Sequence, residues 1–286
     1  MKINYNLLKQ MCNSPIKTFY SVGDVKDTKD GIYIYKSRPE NKVLAVAHLD
    51  TVLNQKHFYK TNRNKDVLVF NACLDDRLGV YTILDLLPQL NIHYDILLTE
   101  GEESGNSTAQ YFEAEKSYNW MFSFDRRGED VVMYQYDDEP TRGLLKSSGF
   151  KPAIGSFSDI AFLEHLQIKG FNIGTGYEGE HTSTSYASMN VLTRQVQRFQ
   201  HFYEKNKDIK LAHIPTSQIN YGYHYQWGKY DDLYCYLCAK NRGEFEVDDG
   251  IYLCGQCFND AEMCQHCQDI VYNYELTTGL CKYCLI

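Results

Sequence analysis

Residues 42–50 read KVLAVAHLD, and residues 94–105 read YDILLTEGEESG. In each, a short apolar run stops at groups that bind cations. The first stops at His48, with Asp50 just beyond it, and the second at Glu102 and Glu103. The pattern recurs at three more places. Val67–Asn71 leads into Cys73, Asp75 and Asp76, Trp120–Phe124 ends at Asp125, and Phe171–Gly174 leads through Gly176 to His181. Apolar runs of this length read as strands, as do Gly31–Lys36 and Val131–Tyr136. Helical spacing falls between them, at Asp76–Leu90, Ser107–Lys116, Ser158–Gln167 and Ser185–Glu204. In the last of these Met189, Leu192, Val196 and Phe199 recur at helical intervals, so one face is expected to be buried. Alternating strands and helices predict an α/β domain with a central mixed, mostly parallel sheet flanked by helices. Residues just past the carboxyl ends of such strands meet in one crevice. His48, Asp75, Glu103, Asp125 and His181 are therefore expected to converge.

The residue types suit one chemistry. Two imidazoles and three carboxylates can hold a pair of divalent ions that share one carboxylate and a water. Imidazole with carboxylate suits Zn²⁺, Co²⁺ or Mn²⁺. A further carboxylate must take the proton of the water and hand it to a leaving amine. Glu102 and Glu103 offer a base and a ligand, and their spacing leaves open which is which. Asp50 can accept the second N–H of His48 and fix its tautomer. Singly, a histidine at a strand end is more often structural, and adjacent acids are usually a solvated turn. The ordered set of five is what points to a metal centre.

His48-Leu-Asp50, Leu74-Asp75-Asp76-Arg77-Leu-Gly79, Glu102-Glu103-Ser-Gly105, Asp125 and Gly176–Thr182 resemble the motifs of the di-zinc exopeptidases. These are aminopeptidases and carboxypeptidases of phosphorylase/hydrolase-like α/β fold. The Asp-Asp-Arg-x-Gly form looks most like the glutamyl (tetrahedral) aminopeptidases, and Ser156-Phe-Ser158-Asp159 resembles the Ser-Asp segment before their last ligand. The resemblance spans roughly residues 40 to 205. It implies that Asp75 bridges the metals, that His48 and Asp125 complete one and Glu103 and His181 the other. It further implies that Glu102 is the general base and that Asp50 supports His48. The tetrahedral aminopeptidases insert an assembly domain between the first histidine and the bridging aspartate, but only 26 residues separate His48 from Asp75. Carboxypeptidase-type members insert a lid before the last histidine, and the 55 residues between Asp125 and His181 are too few for one. A pared-down catalytic domain is expected.

Four Cys-x-x-Cys pairs follow: Cys235 and Cys238, Cys254 and Cys257, Cys264 and Cys267, Cys281 and Cys284. Two such pairs make a tetrahedral site of four thiolates, so a zinc-ribbon module with two structural Zn²⁺ is expected. A module this small needs the metal to fold. Expected boundaries are a catalytic domain over 1–212, a Tyr-rich linker over 213–234 and the zinc module over 235–286. The linker holds Tyr221, Tyr223, Tyr225, Tyr230 and Tyr234, which either pack it onto the catalytic domain or form a partner-binding strip.

The net charge of −8 is concentrated at the end of the chain, where ten acidic residues face three basic ones from Asp231 onward. That sign argues against nucleic acid and for a protein partner. No apolar run approaches the roughly 20 residues of a membrane span. The start, MKINYNLLKQMCNSP, lacks the apolar stretch of a signal peptide, so a cytoplasmic location is expected. Together these features predict a metallopeptidase, foremost an aminopeptidase, acting on a peptide or small amide substrate. Two alternatives stand beside it: an amidohydrolase removing an acyl group from a small molecule, and an inactive hydrolase domain serving as an adaptor through its zinc module.

Overall fold

The computed structural model describes residues 1–53, 57–155, 157–179, 181–214, 245–248, 251–263, 265 and 270–281. The chain divides into two compact units, Met1–Ile219 and Asn220–Ile286. In the first, the strands are β1 (Asp24–Thr28), β2 (Gly31–Lys36), β3 (Val43–His48), β4 (Tyr59–Arg63), β5 (Asp66–Phe70), β6 (Asp95–Thr99), β7 (Trp120–Arg126), β8 (Val131–Val132), β9 (Pro152–Ala153), β10 (Gly170–Gly174), β11 (Tyr177–Glu178) and β12 (Tyr186–Ser188). The α-helices are α1 (Tyr5–Asn13), α2 (Leu74–Tyr81), α3 (Glu139–Ser147) and α4 (Met189–Asn206).

Eight strands form one sheet in the order β1-β2-β6-β3-β7-β10-β8-β9. The middle four, β6-β3-β7-β10, are parallel, and antiparallel β2 and β8 border them. Every residue of β3, β6 and β10 is buried, which is why these strands read as largely apolar runs. Helix α2 packs on β3 and β7 and α4 on β10, so helices flank a mixed sheet as the sequence implied. An aromatic cluster joins α4 to the sheet: Phe199 lies 4.3 Å from Phe122, and Phe202 lies 5.0 Å from Phe171, between ring centroids. Ser188 starts α4 by accepting a hydrogen bond from the Val191 amide at 3.1 Å, satisfying a donor that the first turn leaves over.

Four expectations change in detail. Val67–Asn71 does not join the main sheet. It forms β5 of a separate antiparallel sheet, β11-β12-β5-β4, where the strand is only half buried. The helix expected over Ser107–Lys116 shrinks to a 3₁₀ turn at Thr108–Tyr111, because Phe112 turns extended to bury its ring. The helix expected over Asp76–Leu90 breaks up after Tyr81 into a π turn at Thr82–Leu86 and a 3₁₀ turn at Pro88–Leu90. Thr82 bonds back to the Leu78 carbonyl at 2.8 Å, and Pro88 has no amide to continue the ladder. The expected strand over Val131–Tyr136 also stops early, at Val132, with a 3₁₀ turn at Tyr134–Tyr136.

Among the described residues, the second unit contributes three short antiparallel strand pairs and a helix at Gly255–Asp260. Cys254 caps that helix and Cys257 lies in its first turn, and both are buried. Cys281 ends a strand. Cys235, Cys238, Cys264, Cys267, Cys284, Ser156 and nearly all of the Tyr-rich stretch lie outside the described residues. Among the described residues, no helix is long and apolar enough to cross a membrane.

At the amino end of β6, Asp95 is fully buried and satisfied on both oxygens. It accepts from Arg38 N and Asn41 Nδ2 at 2.9 Å each, from Ser37 Oγ at 2.9 Å and from Tyr118 at 2.7 Å, and it pairs with Lys116 at 2.8 Å. Burial alone would raise its pKa, but Lys116 and these donors outweigh burial and hold it below the ordinary carboxylate range. This knot locks the β2–β3 connection to β6. Asp95→Asn is expected to cost about 3 kcal/mol in urea unfolding at neutral pH, because it leaves Lys116 and several donors without their charge. Because the folded pKa is depressed, the contribution is complete above about pH 4 and is lost as pH falls toward the folded value. The variant should therefore show a flatter acid limb. A loss under about 0.5 kcal/mol would contradict this reading.

Candidate metal centre

Four of the parallel strands deliver functional groups at their carboxyl ends. His48 is the last residue of β3, Glu102 and Glu103 follow β6, Asp125 sits near the end of β7, and the turn after β10 leads to Tyr177 and His181. Asp75 arrives from the second sheet, at the start of α2 after β5. Its φ of −86° and ψ of 114° are not helical, so the helix is unwound where Asp75 enters the site. Gly79 makes room one turn on, since a Cβ there would run into the Phe124 carbonyl and the Asp76 carboxylate.

Asp75 divides its two oxygens between two imidazoles. Oδ1 lies 3.2 Å from His48 Nε2, and Oδ2 lies 3.4 Å from His181 Nε2. His48 Nε2 also faces Asp125 Oδ1 at 3.4 Å and Glu102 Oε2 at 3.9 Å, and His181 Nε2 faces Glu103 Oε2 at 2.9 Å. Two groups of donors, His48 with Asp75 and Glu103 and His48 with Glu102 and Asp125, each lie within 4.8 Å of one another, a spacing that can hold a cation. Asp75, Glu102, Glu103, Asp125 and His181 line a cleft of about 490 Å³, together with Tyr134, Ile154 and Phe157.

The support of His48 differs in detail from the sequence reading. Nδ1 is 3.0 Å from the backbone carbonyl of Asp50 and 3.6 Å from its carboxylate. The Asp50 carboxylate instead accepts from the Glu103 amide at 3.1 Å. A carbonyl can only accept, so Nδ1 carries the proton and Nε2 is turned toward the carboxylates. Tyr177 donates to Asp75 Oδ2 at 2.7 Å. Arg126 forks onto Asp130 at 2.6 and 3.1 Å, while exposed Arg127 lines the cleft. Cys73 is buried beside α2, its thiol 2.9 Å from the Leu53 carbonyl.

So many acids in one buried place affect one another. Burial pushes Glu103 up to about 7, with nearby Asp75 adding to the effect. Glu102 is raised by burial and by Asp125, Asp159 and Asp75, and Asp125 is raised by burial and by Asp75. Asp75 goes the other way: burial raises it, but the hydrogen bonds from His181 and His48 outweigh that and hold it well below the carboxylate range. Burial would lower His48, yet Asp125, Asp50 and Asp75 hold it well above the usual imidazole value. A cation is what such a group of carboxylates calls for. Glu103 Oε1 is buried and accepts no hydrogen bond among the described residues, and the mixed imidazole–carboxylate donor set suits a divalent metal.

Asn172, in the middle of β10, escaped the sequence reading. Its side-chain oxygen accepts from the amides of Asp125 and Arg126, both at 3.0 Å, and its nitrogen donates to Asp125 Oδ2 at 2.9 Å. The β7–β10 register slips at this point, with Asn172 opposite Ser123 but Gly174 opposite Arg126. That bulge strips two amides of their strand partners, and Asn172 supplies the replacement while aiming Asp125 into the cleft. One polar residue in the apolar run Phe171–Gly174 was the available signal. Asn172→Leu is expected to cost about 3 kcal/mol in denaturant unfolding, since two buried amides lose their acceptor. A change below about 0.5 kcal/mol would show that the bulge does not depend on this side chain.

The sequence matches no family model and no curated protein. Solved structures do match in fold. The aminopeptidase PepT from Bacillus cereus is similar with a TM-score of 0.55 and 11% identity, over 71% of this chain and 99% of its own. A tripeptidase from Staphylococcus aureus gives 0.53 and 13%, over 72% and 99%. A TET aminopeptidase from a marine sediment archaeon of the Thaumarchaeota gives 0.51 and 10%, over 72% and 97%. Likeness at these identities shows the fold, a large mixed sheet flanked by helices that this chain has in common with these peptidases.

Proposed function

We propose that the chain is a metal-dependent peptidase, foremost an aminopeptidase acting on short peptides. The observation that carries the proposal is the placement of Asp75, one oxygen toward His48 and the other toward His181. A carboxylate so placed suits a ligand shared by two divalent ions. Asp125 would complete the ion on the His48 side and Glu103 the ion on the His181 side. Zn²⁺, Co²⁺ and Mn²⁺ all fit the donor types. Ions held there would supply Lewis-acid polarisation of a scissile carbonyl and would lower the pKa of a water toward neutrality.

The protein does the rest. Glu102 stands in the cleft beside these ligands. Burial and the facing Asp125 strengthen its hold on a proton, which suits a group that takes one from the attacking water and releases it to the leaving amine. Asp50 holds His48 through its carbonyl and Glu103 through its carboxylate, so one residue orients two ligands. A cleft of about 490 Å³ is of the size that takes small ligands. The fold shared with an aminopeptidase and a tripeptidase supports a peptide substrate.

We extend the proposal to the second unit, whose eight cysteines would hold two structural Zn²⁺, each in a site of four thiolates. Buried Cys254 and Cys257, at the cap and in the first turn of one short helix, are consistent with one such knuckle. The acidity of this part of the chain favours a protein partner over nucleic acid.

The proposal is tested by incubating the protein with Zn²⁺, Co²⁺ or Mn²⁺ and a panel of di- and tripeptides. Release of the N-terminal residue is followed by mass spectrometry, with N-acyl amino acids as the competing substrates. Free-amine peptides should be cleaved, and Glu102→Gln should lower kcat by about 10²–10⁴-fold while leaving bound metal in place. Turnover retained in that variant would remove Glu102 as the base. Cleavage of N-acyl amino acids alone would overturn the peptidase reading.

A further inference from the structure

Asp159 takes no part in the ligand set, yet it is almost fully buried beside it. Its carboxylate reaches both ends of the loop that carries Glu102 and Glu103. Oδ2 accepts from the hydroxyl of Thr99, the last residue of β6, at 2.7 Å. Oδ1 accepts from the hydroxyl of Ser107, where the chain leaves the loop. Between these points the chain doubles back. Asn106 N donates to the Gly101 carbonyl at 2.9 Å, Gly105 N to the Glu102 carbonyl at 2.8 Å, and Thr108 N to the Glu100 carbonyl at 2.8 Å. Gly101 and Gly105, at φ of 81° and 70°, let the turn close this tightly. Next to Asp159, Ser158 donates to Asp125 Oδ2 at 3.2 Å, so the Ser158–Asp159 pair touches the site from two directions.

A buried carboxylate held by two hydroxyls is a costly way to brace a turn. What it does that an amide cannot is accept from both ends of the loop, one on each oxygen. We propose that Asp159 is a positioning residue: by bonding Thr99 and Ser107 at once it closes the Glu100–Asn106 loop and sets Glu102 and Glu103 against His48, Asp75 and His181. The effect on turnover rests on the peptidase reading above, whereas the effect on the loop does not.

The test uses the full chain and the variants D159N, T99V, T99S and S107A. Amide hydrogen exchange across residues 101–107 is measured in metal-free protein, Co²⁺ titrations are followed by d–d absorption, and kcat and KM are determined on a cleaved peptide. In D159N, exchange at Gly105 and Asn106 should quicken about tenfold. Cobalt affinity at one site and kcat should each fall about 10–100-fold. KM should stay within about threefold, because the loop sets chemistry rather than substrate binding. T99V and S107A should show the same pattern in smaller measure, and T99S, which keeps the hydroxyl, should recover most of what T99V loses. Should D159N fail to fold, T99V and S107A probe the same tie from its two ends. Wild-type exchange and wild-type cobalt affinity in D159N would overturn the proposal, even with a lowered melting temperature. If the wild-type cleft takes up no cobalt, the peptidase reading falls. Exchange alone then decides the role of Asp159: faster exchange supports it and unchanged exchange overturns it.

Discussion

The carboxylate of Asp75 holds two histidines that come from different sheets. His48 ends a central strand of the main sheet, and His181 lies between β11 and β12 of the smaller one. Neither sheet builds the cleft alone. The shared carboxylate is fixed on its own side by Tyr177, at 2.7 Å, and by the unwound start of α2. Moving it would break contacts on both sides at once. The acids around it cannot all ionise in so buried a place without positive charge, which is why the site is better suited to cations than to any neutral ligand.

The parallel core has polar groups at its two ends and apolar packing between them. Strand β6 shows the arrangement most plainly. It begins at Asp95, where Lys116 and several donors surround one buried carboxylate, and it ends at Thr99, bonded to a second one on Asp159. The strand that joins these two charged knots is buried along its whole length. The first secures the connection from β2 to β3. The second lies where the chain leaves the sheet to present Glu102 and Glu103. The aromatic cluster of Phe122, Phe171, Phe199 and Phe202 fills the layer between sheet and α4, giving the rigid base that a site with ångström tolerances needs.

Much of this was legible in the chain. Central strands buried on both faces, such as β3, leave unbroken apolar runs, and cation-binding residues at their ends stand out against them. His48, the Glu102–Glu103 pair and Asp125 could be read that way. The second sheet was not legible, because half-buried Val67–Phe70 looks like any other short strand and nothing local says which sheet it joins. The 3₁₀ turn at Thr108–Tyr111 follows from how Phe112 packs, a long-range fact. Asn172 matters through a register slip between two strands, and register is invisible to periodicity. The role of Asp50 divides between its carbonyl and its carboxylate, a distinction that residue type cannot make.

The central claim is that Asp75 is shared by two cations, and native mass spectrometry of the full chain after equilibration with Zn²⁺ and removal of excess metal tests it directly. The expected result is four ions on the wild-type chain, two in the cleft and two in the cysteine unit. In Asp75→Ala the cleft pair should be lost together, leaving two. Retention of all four ions in that variant, or a wild-type chain that carries no metal beyond what the cysteines hold, would contradict it.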